Sequence, residues 1–325
     1  YLKREGRPSE KATLTARMID RPLRPSFPDG FRNEVQVVAT SLVADQSNPC
    51  DVICVMGASL ALSLGGVPFE GPLACVRIGR NRETGEFLVN PTYEERENSD
   101  LDLELGGTRD FISMVEAGAN EVDEETMMRA IRAGHEEIKK MLAFINGIVA
   151  EIGKPKKSFT PVELDHALLA DVYAKHLDEV KNAMNTDDKN VRDAAMLPIM
   201  DAIAAEHPEL TAADLDLISY KLQKKVVRTW LLEDGKRVDG RGIDEIRPLA
   251  AEIDLLDRVH GSGMFTRGQT QVMTICTLGP VSDSQKLEGL DEEEGKRYMH
   301  HYNFPSFSVG ETKPSRGPGR REIGH

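Results

Sequence analysis

Residues 162–234 contain no convincing strand and few glycines, yet the sequence on both sides of them alternates like β-sheet. This interruption limits the fold more than any other feature, because a single sheet layer does not continue through so long a helical insert. Amphipathic segments separated by "NTDDKN" and "HPEL" predict a small all-helical module. "KPKKSFTP" (154–161) reads as the linker before it, and "EDGKRVDGRG" as the hinge after it. The expected order is therefore α+β over 1–153, all-α over 154–235 and a β-rich block over 236–325.

Within the first block, "NEVQVVATSLV" and "PLACVRIG" are rich in β-branched residues and predict strands. "DVICVMGASLALSLGG" enters a helix whose small residues permit close packing on a sheet. "DLDLELGGTRDFISMVEAGA" has the alternation and central turn of a hairpin. From Asp123 the chain has an acidic first turn, helical apolar spacing and a glycine stop at Gly153. In the last block, "MFTRGQTQVMTICTLG" and "HYNFPSFSVGE" again predict strands. The uncharged run Val52–Phe69 is long enough to suggest a membrane span, but its glycines, serines and proline favour buried strand, helix and turn. The chain starts at Tyr1 rather than Met, which implies a missing N-terminal piece.

A net charge of −13 excludes a generally basic nucleic-acid binder, so any anion site must be local. Cations gather at both ends. Residues 1–25 hold seven against three anions, and residues 313–325 hold four against one. Cys50, Cys54, Cys75 and Cys276 show no metal-binding spacing and read as reduced, buried thiols. Walker loops, GxGxxG, HExxH and nucleophile elbows are all missing from the sequence, which sets aside the common NTPase, dehydrogenase and hydrolase templates.

The cation-rich segments remain. "ARMIDRPLRP" spaces Arg17, Arg21 and Arg24 along one helical face until Pro22 and Pro25 bend or end it. Three converging guanidiniums suit a bidentate phosphate contact, while the competing reading pairs each with a carboxylate such as Asp20 or Glu10. In "RGPGRREIGH" the Gly-Pro-Gly loop can offer backbone N–H groups to an anion, with Arg320, Arg321 and His325 as charged donors. The competing reading there is an Arg–Glu322 pair.

"REGRPSE", "RMIDRPLRPSFPDGFRNEVQVVAT" and "GASLALSLGGVPFEGPL" resemble the first RNase PH-like core of bacterial polynucleotide phosphorylases. "RVDGRG", "HGSGMFTRGQTQ", "HYNFPSFSVGE" and "GPGRREIGH" resemble the opening half of the second core, and the helical module falls where that family has its all-α linker. The resemblance implies α+β RNase PH-like half-cores, of the ribosomal protein S5 domain 2-like class, flanking an all-α linker domain. The chain would run from the middle of the first core to the middle of the second.

For activity, the resemblance implies a phosphate-dependent 3′-to-5′ exoribonuclease that degrades mRNA processively. Inorganic phosphate would be co-substrate, nucleoside 5′-diphosphates the products, and polymerisation the reverse reaction. Arg320, Arg321 and His325 would belong to the catalytic pocket, with Arg241 of "VDGRG" a weaker member. Lys3, Arg4, Arg7, Arg17, Arg21 and Arg24 would form an RNA-binding surface. Where the family commonly has "FFRR" this chain has Tyr1-Leu2-Lys3-Arg4, losing one aromatic ring and one guanidinium fork. Mg²⁺ would be the cofactor, its aspartates and the serine-containing phosphate loop lying beyond His325, so that no metal ligand falls within the chain and the segment alone is inactive. "SNPCDVICVMGAS" and "LVNPTYEE" mark the first copy as non-catalytic. The implied partners are a single-stranded RNA 3′ end, two further subunits of a homotrimer and RNA degradosome components, in the cytoplasm and without a membrane. KH and S1 domains are left open. The alternative is a non-catalytic RNA-binding or ring-assembly subunit of exosome type.

Overall fold

The computed structural model describes residue 6 and residues 8–287, 295–314 and 316–325. They group into two compact units, one of Tyr1–Pro161 with Asp283–His325 and one of Val162–Ser282.

The first unit is built on an antiparallel sheet with helices on both faces. Its helix α1 (Glu10–Leu23) starts where the Ser9 hydroxyl accepts from the Ala12 N–H at 3.1 Å. Met18, Ile19 and Leu23 turn inward, leaving Arg17, Arg21 and Arg24 outside. Pro22 lies in the last turn, and the chain tightens into a 3-10 turn over Arg24–Ser26. Helix α2 (Asp51–Leu64) buries Ala58, Ser59 and Ser63, small enough for the sheet to approach, and the Ser59 hydroxyl accepts from the Leu73 N–H at 2.9 Å.

The sheet has the order β2-β1-β3-β4, with β1 Ala74–Asn81, β2 Phe87–Val89, β3 Ser99–Gly107 and β4 Ile112–Ala119. A short helix α3 (Tyr93–Glu97) connects β2 to β3. The period-two alternation sorts the side chains. Cys75 and Met114 face α1 and α2, while Val76, Ile78, Leu103 and Leu105 face helix α4 (Glu124–Ile152). That helix is capped by Asp123 and ends at Gly153, as its sequence predicts. It also comes unusually close to the sheet. A Cβ at Gly134 would lie 2.4 Å from Leu105 Cδ1 and 3.0 Å from Ile78 Cγ1.

After α4 the basic linker folds back as a cap on α2. Lys154 N–H donates to the Leu64 carbonyl (3.1 Å), Lys157 N–H to Gly66 (2.8 Å) and the Lys156 ammonium to Ser63 (3.2 Å). The last carbonyls of α2 thus gain donors and a positive charge.

The second unit contains the expected all-helical module. Helices α5 (His166–Ala183), α6 (Lys189–Glu206) and α7 (Ala212–Leu232) are capped by Asp165, Asp188 and Thr211. Val172, Val180, Ile203, Ile218, Leu222 and Trp230 form their core. A meander follows, β5 (Leu249–Ile253), β6 (Gly261–Arg267) and β7 (Thr270–Cys276), with a two-residue β6–β7 turn in which Gly268 takes φ +59°. Most side chains on both faces of this sheet are exposed, Cys276 among them, and of the four thiols expected to be buried only Cys75 is, Cys50 and Cys54 being half-buried.

The tail returns to the first unit with the two-residue strands β8 (Gln285–Lys286) and β9 (Gly295–Lys296) and helix α8 (Arg320–Gly324).

Two predicted strands are absent. "NEVQVVATSLV" forms no ladder among the described residues, and Val38, Leu42 and Val43 are exposed. A strand pattern specifies a side-chain alternation, but hydrogen-bonded partners must be supplied from elsewhere. "HYNFPSFSVGE" is extended without pairing up to Pro305, then forms a 3-10 turn over Ser306–Val309 closed by Gly310 at φ +71°. Its rings pack on α8 instead of a sheet.

Candidate functional site

Five residues make up α8, and its first turn is satisfied internally. The Glu322 carboxylate accepts from the Gly319 N–H (2.7 Å) and the Phe304 N–H (3.0 Å), which holds it below the usual carboxylate range. The backbone donors that the Gly-Pro-Gly loop would otherwise offer an anion are therefore partly taken by the protein's own carboxylate. Anion recognition falls to the side chains.

Those side chains are held by rings. The Arg321 guanidinium lies over the Phe304 ring, 4.3 Å from its centroid. Phe304 stacks with Tyr302 at 6.1 Å and 13°, and Tyr302 meets the His325 imidazole at 4.5 Å and 39°. From the α1 side, Arg17 Nη1 donates to the Arg320 carbonyl at 3.2 Å. Among the described residues, the Arg320 and Arg321 guanidiniums and the His325 ring have no hydrogen bond or ion pair. Their unpaired guanidiniums leave charged donors available to an anion on a protein of net charge −13.

The α1 arginines differ. Arg21 pairs with Glu116 on β4, and Arg24 with Asp20 one turn back at 2.7 Å. Carboxylate pairing describes Arg21 and Arg24 here, while Arg17 has no carboxylate partner among the described residues. Lys3, Arg4 and Arg7 lie outside the described residues. In the second unit, Arg241 donates to Asp239 (2.9 Å) and to the Glu245 carbonyl (2.8 Å). Burial opposes the Asp239 charge, yet hydrogen bonds from Arg241 and Arg247 keep its carboxyl below the ordinary range.

An open groove of about 2000 Å³ in the first unit is lined by Lys11, Arg24, Tyr93, Arg96, Lys296 and Arg320. Lys11 and Arg96 both lie over the Tyr93 ring, at 5.2 and 5.7 Å. The sequence reading passed over Tyr93, whose only local signal is an aromatic in a charged stretch. It also passed over Arg77, 3% exposed, which bonds Asp51 (2.7 Å), Asp102 (3.0 Å) and Glu104. This cluster joins β1, β3 and α2, and its carboxylates are committed to a guanidinium. No group of three or more His, Cys, Asp or Glu that could hold a metal occurs among the described residues. The residues present therefore do not fit a divalent cation.

Three family profiles match the chain. "3′ exoribonuclease family, domain 1" covers residues 2–68 and 245–325, and its domain 2 covers residues 71–137. "Polyribonucleotide nucleotidyltransferase, RNA binding domain" covers residues 167–242. Curated relatives called polyribonucleotide nucleotidyltransferase align with all of this chain. The protein of Lysinibacillus sphaericus is 52% identical with 47% of its own length covered, and that of Bacillus subtilis 51% with 46%. The Heliobacterium modesticaldum protein is 51% identical, again with 46% covered.

The chain belongs to the polyribonucleotide nucleotidyltransferase family.

It spans about half the length of the curated relatives it matches. Family membership bears out the RNase PH-like reading of the sequence on either side of the helical module. As a member of the polyribonucleotide nucleotidyltransferase family, it carries Arg320 and Arg321 within a stretch matched to the exoribonuclease profile, and α5–α7 within one matched to the RNA-binding profile. No helix among the described residues is long and apolar enough to cross a membrane.

Proposed function

We propose that the protein carrying this chain is a phosphate-dependent 3′-to-5′ exoribonuclease of the mRNA-degrading kind, releasing nucleoside 5′-diphosphates from a single-stranded RNA 3′ end. An oxygen of inorganic phosphate attacks the phosphorus of the terminal phosphodiester. The bond to the 3′ oxygen of the penultimate nucleotide breaks, and that oxygen takes a proton. Negative charge accumulates on the phosphoryl oxygens, so preorganised cationic donors are the chemistry required. Arg320, Arg321 and His325 are assigned that role, with Arg241 as a further candidate.

The observation carrying this reading is that Arg320 and Arg321 keep free guanidiniums while Arg21 and Arg24 are neutralised by carboxylates. Lys3, Arg4, Arg7, Arg17, Arg21 and Arg24 are proposed as the RNA-binding surface, with Arg21 and Arg24 exchanging Glu116 and Asp20 for phosphates on binding. The proposed domain limits are 1–153, 154–235 and 236–325. Mg²⁺ is the proposed cofactor, homotrimerisation and degradosome contacts the proposed assembly, and the cytoplasm the proposed location. Since the described residues do not fit a metal, no step is assigned through one here.

The test is phosphate-dependent release of nucleoside 5′-diphosphates from poly(A) by the complete gene product. Arg320→Ala or Arg321→Ala is expected to lower turnover by roughly 10²-fold, as loss of one preorganised donor does. Retained RNA binding with no phosphorolysis under any condition would overturn the reading in favour of a non-catalytic RNA-binding subunit.

A further inference from the structure

The extended segment 301–305 carries the rings on which α8 rests, and this suggests a role for them that the reaction scheme leaves unassigned. Arg321 lies in α8 and His325, four positions on, caps it; a helix of barely more than one turn is too short to be rigid unaided. Each is held on an aromatic face, and the two faces belong to one stack. The order is Arg321 over Phe304, Phe304 against Tyr302, and Tyr302 against His325. The Phe304 N–H also donates to the Glu322 carboxylate, so the backbone beneath the stack is tied to the same helical turn. Tyr302 and Phe304 are half-buried, whereas Arg321 and His325 are exposed. Planar groups seated on rings lose rotamer freedom while their N–H edges stay available, which is what an anion-binding pair needs.

We propose that Tyr302 and Phe304 are positioning residues that fix the His325 imidazole and the Arg321 guanidinium toward a shared phosphoryl group. This rests on the reading of α8 as part of the phosphate pocket. Phe304 acts through Arg321, and Tyr302 through His325. Neither ring contacts the substrate.

The experiment is a double-mutant cycle in the complete gene product, using poly(A) and inorganic phosphate, with KM for phosphate and kcat measured separately. Phe304→Leu is expected to lower kcat/KM for phosphate by roughly tenfold to 10²-fold, and Phe304→Tyr, which keeps the ring, to restore it. In an Arg321→Ala background, Phe304→Leu is expected to add little, because its partner is already gone. Tyr302→Leu against His325→Ala should behave alike, and this second cycle decides the matter should leucine at 304 prevent folding. Additive losses, or failure of Phe304→Tyr to restore activity, would overturn the positioning role while leaving the α8 reading in place. Unchanged phosphorolysis in Arg321→Ala and His325→Ala alone would overturn the α8 reading and the positioning role with it.

Discussion

Arg17 and Gly324 fit together with no room for a methyl group between them. A Cβ at Gly324 would lie 2.5 Å from both Cζ and Nε of Arg17. Arg17 is thereby laid along the α8 backbone, where it donates to the Arg320 carbonyl. Besides its proposed place on the RNA-binding surface, Arg17 supports the turn that carries the unpaired cations.

Gly324→Ala is expected to push the Arg17 guanidinium off that carbonyl. One charge-assisted hydrogen bond is at stake, about 1 kcal/mol or roughly a fivefold loss in RNA affinity. In an Arg17→Ala background the same substitution should have almost no effect, and fluorescence anisotropy with a labelled oligoadenylate measures both cases. Independent effects of the two substitutions would show that the contact is incidental.

The two arginine sets should separate by salt dependence. Arg320→Ala is expected to reduce the slope of log affinity against log salt by about one, since one phosphate contact disappears. Arg24→Ala should change that slope less, because Arg24 must first leave Asp20. Filter binding between low and physiological salt gives both slopes.

Gly134→Ala tests the closest packing in the first unit. The added methyl meets Leu105 and Ile78, both fully buried, and α4 cannot retreat without opening the sheet. Overpacking of this kind costs about 1–3 kcal/mol, against a helix-propensity gain of about 1 kcal/mol from replacing glycine. A lower urea midpoint with an unchanged slope is the expected result. A raised midpoint would mean that the helix gives way without strain.

Glu104 sets a pH dependence of definite sign. Burial raises its carboxyl above the ordinary value of 4.5, Arg77 only partly opposing, so the folded state binds the proton more tightly than the unfolded chain does. Its contribution to stability therefore grows as pH falls from neutral toward that ordinary value. Glu104→Gln removes the titration. Wild-type stability should gain on the variant between about pH 7 and about pH 5, read from urea midpoints. An unchanged difference across that range would count against a raised value.

What was legible in the sequence was local. Asp123, the acidic turn after it and Gly153 mark both ends of α4 within one stretch of chain, while Asp188 and Thr211 cap the starts of α6 and α7. The hairpin in "DLDLELGGTRDFISMVEAGA" was equally visible, because its two strands pair with each other. "NEVQVVATSLV" carries the same local signal but depends on a remote partner, and "HYNFPSFSVGE" spends its alternating rings on α8. Arg77 looks like an interruption in "ACVRIG" until α2 and β3 bring Asp51, Asp102 and Glu104 around it. At the site, the cations of "GRREIGH" were evident from charge alone. The turn of Glu322 back onto Gly319 is a local capping contact, whereas its bond from Phe304 and the support of α8 by Arg17 depend on residues 18 and 303 positions away.

The bond from Arg17 to the Arg320 carbonyl spans 303 positions. Closing a loop of that length demands entropy that only nearby, already formed structure can offset, and contacts of high sequence separation form late. α1 acquires its neighbours from α2 and the sheet, within the first third of the chain. α8 can dock only after that platform exists. Refolding should therefore recover sheet and helix signals well before the capacity to bind a phosphate-bearing ligand, and a lag between circular dichroism and ligand capture would be the kinetic trace of this late docking of α8 on α1.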